Sequence, residues 1–446
     1  MNTRNLFVSI FLIVNLLLSA CASSANPDPT TKPSGIWEGA QEAGDTDWSM
    51  TLDFDSCAQD KPCAKVYYVL CAGEFVFQKE EKGTLVFQEN ITEHPDQCFS
   101  GATVQVAYQG QDKPMTVSWL ADDGSVFTSA EMHYQDPAAR PVIEGLGEQV
   151  ALFRNMGAVN WGFVAMDGEL WIPESNRGTV SRIDIASGKF LATIDVGDPA
   201  KPSYNVDPNV VAVSGNDVWV TQRADKAVAR IDPSTNQVVD TIAVGVEPFN
   251  IAIDGNVLWV TAYDEGAVLK VDLQTKETLA RIDIGAPSDI ALINGMLWVA
   301  EHREGNVVLV DPQTAAVVER ISLPEGSRPC FVTYFDDSVW VANRTGNSVS
   351  RIDPNTKDVM NISLPQNAAQ LTVGGGFIWV ALVPGPDGEM DLSKYAIAKI
   401  DPKTNSVASI IPFHGATNLG YSDGILWVDN RNDMSGDKLH AIQLEP

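Results

Sequence analysis

Six of seven short stretches of this chain end in side chains that can bind or transfer charge, each at one fixed offset from a tryptophan. The third and fourth residues after the tryptophan are Glu174-Ser175, Gln222-Arg223, Ala262-Tyr263, Glu301-His302, Asn343-Arg344, Leu382-Val383 and Asn430-Arg431. Such a set can simply solvate a rim, its arginines paired with acids of neighbouring units, and two chemistries are open to it besides. Arg223, Arg344 and Arg431 carry planar guanidinium groups that donate in pairs to an anionic partner, and Tyr263, Asn343 and Asn430 add neutral polar contacts. Proton transfer is the other, with Glu174, Glu301 and His302 as the members able to carry it. A general base must stand within hydrogen-bond reach of its proton, and spacing alone does not bring His302 to His414 in the loop before the last stretch. Binding and catalysis therefore both remain open.

The elements that must position these residues repeat. Trp171, Trp219, Trp259, Trp298, Trp340, Trp379 and Trp427 each sit in an L/V/I-W-V/I triplet, at separations of 48, 40, 39, 42, 39 and 48 residues. Self-similarity near 40 residues marks a solenoid or a propeller. Each unit reads as an apolar x-I-A-I run, then G-x-L-W-V, then x-V-x-R-I-D, a P-x-T-x turn and a final V-x-x-I-x-V/L. In the third unit these are NIAID, NVLWVTA, AVLKVDL and TLARIDI. Four short β-branched strands with turns between them make a propeller blade. Seven such units predict a seven-bladed ring with the tryptophans packed between blades. Asp184, Asp232, Asp272, Asp311, Asp353 and Asp401 end the third strands, where a carboxylate can accept turn N–H groups rather than bind metal. The last unit lacks a fourth strand, and the run Gln149 to Arg154 is expected to supply it, closing the ring and hiding an edge. The loops after each second strand and before each first strand should meet at one mouth. The entering loops bring Asn160, Asn209, Asn250, Asp289, Arg328 and Asn418 to it, of which Asn250 and Asp289 join the binding candidates.

This pattern resembles the seven-bladed propellers grouped with streptogramin B lyases and with exported repeat proteins bearing a YVTN-type motif, over about 290 residues. The resemblance implies a fold first. The lyases carry Trp-Phe-Thr-Glu in their repeats and use magnesium held by carboxylates with a histidine as proton carrier. Here Glu follows the motif only at Glu174 and Glu301, and Phe has become Val or Ile. The resemblance thus implies Glu174, Glu301 and His302 as catalytic residues with magnesium; without it we expect no cofactor and no metal site. The stretch Asp429 to Asp433 imitates the start of a calcium loop but places Arg431 at a ligand position. The acidic insertion Pro384 to Asp391 reads as a solvated loop, and Cys330, beside Pro329 at the start of an inner strand, as a small buried side chain.

Residues 1–21 read as an export signal: Arg4, an apolar run from Leu6 to Leu18, and Leu18-Ser19-Ala20-Cys21, which resembles the bacterial lipobox. That resemblance implies acylation of Cys21 and attachment to the bilayer at the cell envelope, on the periplasmic or extracellular face. Residues 22–34, rich in Ser, Pro, Thr and Asn, read as a flexible leash. With 58 acidic and 30 basic residues the net charge is -28, which argues against nucleic acid as a partner. A small molecule or another envelope protein is expected instead. Cys57, Cys63, Cys71 and Cys98 cluster as disulfide cysteines do in exported chains. They allow three connectivities, of which Cys57–Cys63 with Cys71–Cys98 is preferred, the first closing a short polar loop. Residues 35–135 alternate strand-like runs with turns and predict a small antiparallel β-barrel. GIWEG, a Y-x-x-x-C-x-G motif and a later cysteine resemble a small exported barrel module. Residues 136–148 form a Pro- and Gly-rich linker, and 149–446 the propeller. The whole is all-β.

Overall fold

The structure, a computed structural model, describes residues 32–43, 46–55, 57–67, 72–93, 100–135, 141–156, 162–175, 177–187, 189–196, 208–385, 391–430 and 437–445. Cys21, Cys71, Cys98, Asn160 and Arg431, all singled out above, lie outside them, as do residues 386–390 of the acidic insertion.

Eight antiparallel strands between Gly35 and Gln135 run in sequence order and close into a barrel, the first (Gly35–Ala43) pairing with the last (Val126–Gln135). Alternation makes this possible: in Met115–Leu120, Met115, Val117 and Trp119 point inward and Thr116 outward. The interior is filled by Trp37, Phe54, Phe75, Phe77, Phe87 and Trp119, with Tyr108 and Tyr134 against Trp37 at 5.6 and 5.4 Å between ring centres. Trp37 and Trp119 are therefore core residues. Cys57 and Cys63 are bonded as expected.

Seven antiparallel blades follow, six of four strands and one extended to five, each in the order inner, second, third and outer strand. Blade 1 comprises Val164–Met166, Glu169–Glu174, Thr179–Asp184 and Lys189–Asp195. The other second strands are Asp217–Gln222, Val257–Ala262, Met296–Glu301, Ser338–Asn343, Phe377–Val383 and Ile425–Asn430. Blade 7 is completed from the front of the chain. Gly147–Met156 pairs with Asp437–Leu444, with Gly147 opposite Leu444 and Leu152 opposite His440. A short fifth strand, Val142–Ile143, lies outside it. A ring closed by both ends of the repeat region leaves neither blade 1 nor blade 7 with an unmatched face.

Each second strand is covered on both faces by neighbouring blades. Trp171 packs with Val211, Val218 and Val220 of blade 2, whereas Leu170 and Ile172 pack with Trp427 and Leu439 of blade 7. The tryptophan thus faces the next blade, and its chain neighbours face the previous one. Third-strand aspartates behave as their position predicts: Asp232 accepts Ser234 N at 2.8 Å and Asp311 accepts Gln313 N at 2.7 Å.

The arginine of the R-I-D motif latches one blade to the next on the face opposite the mouth. Arg182 stands directly across the strand pair from Trp171, its guanidinium 5.0 Å from the ring. It pairs with Glu169 at 2.6 Å and donates to Pro233 O and Asn236 Oδ1 in the turn of blade 2, at 2.5 and 2.7 Å. Arg351 repeats this with Trp340, Pro402 O and Asn405 Oδ1, and Lys270 with Trp259 and Pro312 O. A cation over an indole face is attracted by the ring quadrupole, and here the same cation satisfies carbonyls across the blade gap.

Candidate functional site

The residue three after each tryptophan, which ends the second strand in every blade but the sixth, has the strand parity that faces the previous blade. Glu174 and Glu301 are accordingly buried and held. Glu174 Oε2 accepts Thr179 Oγ1 at 2.9 Å and lies 3.6 Å from Arg177. Glu301 Oε1 accepts Gly285 N at 3.0 Å, and its Oε2 accepts Asn306 Nδ2 at 2.8 Å with Arg320 3.4 Å away. Gln222 and Asn343 occupy the same position. Gln222 donates to Val196 O in the connection from blade 1, and Asn343 donates to Ser348 and Ser350 hydroxyls at 2.9 and 3.0 Å. These residues clasp a blade to its own third strand or to the incoming connection. Asn430, the equivalent in blade 7, is buried as well. Magnesium shared by Glu174 and Glu301 does not fit: they belong to blades 1 and 4, and among the described residues no three metal-ligating side chains converge.

The entering-loop residues form a girdle. Asn209 donates to Phe249 O of blade 3 at 2.7 Å, and Asn250 Nδ2 donates to Asp289 Oδ1 of blade 4 at 2.6 Å. Asp289 Oδ2 accepts Val332 N of blade 5 at 2.7 Å. Cys330 Sγ lies 3.4 Å from Ala369 O of blade 6, and Gln370 Oε1 accepts Leu419 N of blade 7. Asn418 turns inward within its blade, donating to Asp429 at 2.9 Å. Asn250 and Asp289, expected as ligand contacts, instead bind neighbouring blades together. Burial raises the Asp289 carboxyl to about 7, against three N–H donors that favour its charge. Burial also pushes the Cys330 thiol up to about 12, so it is a neutral packing group as its sequence position suggested.

In blades 2 to 5 the fourth residue after the tryptophan is what reaches the mouth, whereas Ser175 and Val383 at that position are buried. Tyr263 of blade 3 and His302 of blade 4 lie 5.7 Å apart between ring centres, and Tyr263 meets Phe249 at 5.2 Å. Arg223 of blade 2 lies 5.5 Å from the Phe249 ring. Its charge is already matched, by Glu247 at 3.2 Å and Asp264 at 3.0 Å. The arginines around His302 differ. Arg303 lies 5.7 Å from the Tyr263 ring, Arg328 is exposed, and Arg344 N donates to Arg328 O at 2.9 Å. Among the described residues none of these three guanidiniums meets a carboxylate. His302 is anchored through Nδ1 to Pro329 O at 3.0 Å, and its imidazole is held neutral first by burial and then by the charges of Arg328, Arg344 and Arg303.

The structure therefore brings Tyr263, His302 and Arg344 together at the mouth and joins Arg223 to them through Phe249. It sets Glu174, Glu301, Asn250, Asp289, Asn343 and Asn430 into the scaffold. Arg303 and Phe249 were not singled out from sequence. The signal existed for Arg303, the one arginine or lysine found five residues after a repeat tryptophan.

No protein-family model and no curated protein sequence matches the chain. Solved structures do. A streptogramin B lyase aligns with a TM-score of 0.52 at 18% identity, covering 65% of this chain and 97% of that one. Selenomethionine-substituted virginiamycin B lyase from Staphylococcus aureus aligns at 0.53 and 17%, covering 66% and 98%. A catalytically inactive form of that enzyme with quinupristin gives 0.52 and 18%, covering 66% and 99%. U3-55K aligns equally well, at 0.52 with 12% identity, covering 65% and 98%. Since chains of such different kinds align alike, these likenesses identify the fold: this chain is built on the seven-bladed propeller that streptogramin B lyase shares.

Proposed function

We propose that this is an exported protein, tethered to the cell envelope through acylated Cys21, whose propeller binds an anionic ligand at the mouth over blades 4 and 5. The observation that supports this is the group Arg303, Arg328 and Arg344, whose fields meet at His302 and which lack carboxylate partners among the described residues. In a chain of net charge -28 an unmatched cationic spot is a selective place for a negative group, and a guanidinium binds carboxylate or phosphate oxygens in pairs. Tyr263 offers a flat apolar face beside it. The ligand is a small anion or an acidic group on an envelope protein.

Pyrophosphate at low ionic strength is a suitable probe. It should raise the melting temperature of the full chain, and an Arg328→Gln/Arg344→Gln variant should lose that rise. Equal stabilisation of both would overturn the reading. The tether is tested separately: Cys21→Ser should move the protein from the membrane fraction to the soluble one, and retention in the membrane would remove it.

The catalytic alternative draws support from His302 alone, since a neutral imidazole among arginines can accept a proton. If it holds, His302→Gln abolishes turnover of the bound ligand while leaving its affinity intact.

A further inference from the structure

Among the described residues, six of the seven repeat tryptophans carry a cation within 6.0 Å of the ring: Arg182, Arg230, Lys270, Lys357, Arg351 and Lys399. Five of these come from the third strand of the tryptophan's own blade. The sixth is informative. Blade 4 has Leu309 opposite Trp298, and the missing charge is delivered from outside the blade by Lys357, in the turn of blade 5. Trp427 has none. Its cross-strand partner is Ala441, too short to reach anything, and its ring N–H donates to Ser422 Oγ at 2.9 Å while Phe153 lies 6.2 Å away.

A cleft of about 510 Å³ stands where that latch would be, between blades 7 and 1 on the face opposite the mouth. Four of its lining residues occupy positions that form the filled latches elsewhere. Ala441 takes the place of Arg182, Ile425 that of Glu169, and Ile185 that of Pro233, whose carbonyl the arginine holds elsewhere. Asp423, four residues before Trp427, corresponds to Asp336 in blade 5, whose carboxylate lies 3.9 Å from Arg351. Both aspartates hold the same left-handed turn, with φ of 50° and 49°. The anionic half of the latch is thus present at the seam, next to apolar walls from Val150, Ala151, Ile185 and Ile425, and no cation among the described residues reaches it.

We infer that the seam cleft binds an alkyl cation, a guanidinium or ammonium group on a short apolar stem, taking the place that Arg182 and Arg351 fill in their blades. The stem lies along the apolar walls and the charge meets Asp423. This site is independent of the mouth and opposite in charge preference, so its failure and that of the anion site are separately visible.

Propylguanidinium and a blocked tripeptide with central arginine are titrated calorimetrically into the full chain. Binding of propylguanidinium as tightly as the tripeptide assigns a small-molecule ligand, and at least tenfold tighter tripeptide binding assigns a protein side chain. Asp423→Asn should weaken either at least tenfold. Ala441→Arg, which supplies the latch from within, should abolish binding and raise the melting temperature. Ala441→Leu, which blocks the cleft without charge, should abolish binding and guards against a misfolded arginine variant. Failure of both probes to bind, or unchanged binding by Ala441→Leu, would overturn the inference.

Discussion

The same residue does opposite things on the two faces of this ring. Opposite the mouth, Arg182 and Arg351 are spent: each stacks on a tryptophan and donates to a proline carbonyl and an asparagine of the next blade. At the mouth, Arg303, Arg328 and Arg344 crowd one neutral histidine, and none of them forms an ion pair with a carboxylate among the described residues. A guanidinium whose donors are all taken holds structure together. One whose donors point at solvent beside like charges costs the fold some repulsion, and it is retained where something else benefits. The contrast separates scaffold from site more sharply than residue type does.

The largest expected effect lies just below the mouth, at Asp289. Its ordinary carboxyl value of 3.8 is raised to about 7 in the fold, so the native state keeps a proton that the unfolded chain has already released. The stability tied to that proton is complete below about pH 4 and is lost as pH rises toward 7. Roughly three units correspond to about 4 kcal/mol as an upper bound. His302, held neutral, acts in the opposite sense, its contribution fading as pH falls below the ordinary histidine range. The clean measurement is therefore a difference: urea unfolding of the wild type and of Asp289→Asn between pH 4.5 and 8. Asp289→Asn should gain on the wild type as pH rises. Parallel curves would mean that the girdle carboxylate ionises freely, and the distinction between a buried girdle and a charged mouth would weaken.

Much of this was legible beforehand because it is periodic. Seven tryptophans at near-constant spacing fixed the blade count, and the missing fourth strand of the last unit pointed to Gln149 to Arg154, which the structure pairs with the last strand. The site was half legible. The offset from tryptophan found the right strand ends but treated the third and fourth residues alike, although strand parity separates them. The third shares a face with the residues flanking tryptophan and enters the blade gap, which is why Glu174, Glu301 and Asn343 became clasps. The fourth escapes into the loop, which is why Tyr263, His302 and Arg344 reach the mouth. The girdle had a signal that composition hides: Asn209, Asn250, Asp289 and Gln370 stand nine or ten residues before their tryptophans. A polar residue opening an apolar run reads as loop, and only coordinates show that its partner is the next blade. The inter-blade latch lay in plain view as R-I-D, but spacing within one repeat says nothing about reach into another.

A sharper version of the comparison removes one arginine from the lower face. Arg351→Ala leaves Pro402 O and Asn405 Oδ1 without their donor and uncovers one face of Trp340. Unsatisfied acceptors in a half-buried site cost about 1–3 kcal/mol, and the loss of packing adds to this. We expect about 2–3 kcal/mol in chemical denaturation, with no change in anion binding at the mouth. A loss below about 0.5 kcal/mol would show that the latch is decoration.

The smallest effect is the most diagnostic. Arg344→Gln removes a guanidinium that makes no ion pair among the described residues and whose field opposes protonation of His302. Substitutions away from packed or bonded features stay within about 0.5 kcal/mol, and relief of repulsion from Arg303 and Arg328 should tilt the change toward stabilisation. The His302 imidazole, read by its ring-proton chemical shift, should titrate at higher pH in Arg344→Gln, because one of the charges that disfavour its protonation is gone. These two readouts must move together. A destabilisation as large as that of Arg351→Ala, with His302 unmoved, would place Arg344 among the latches and leave the mouth without its cationic centre.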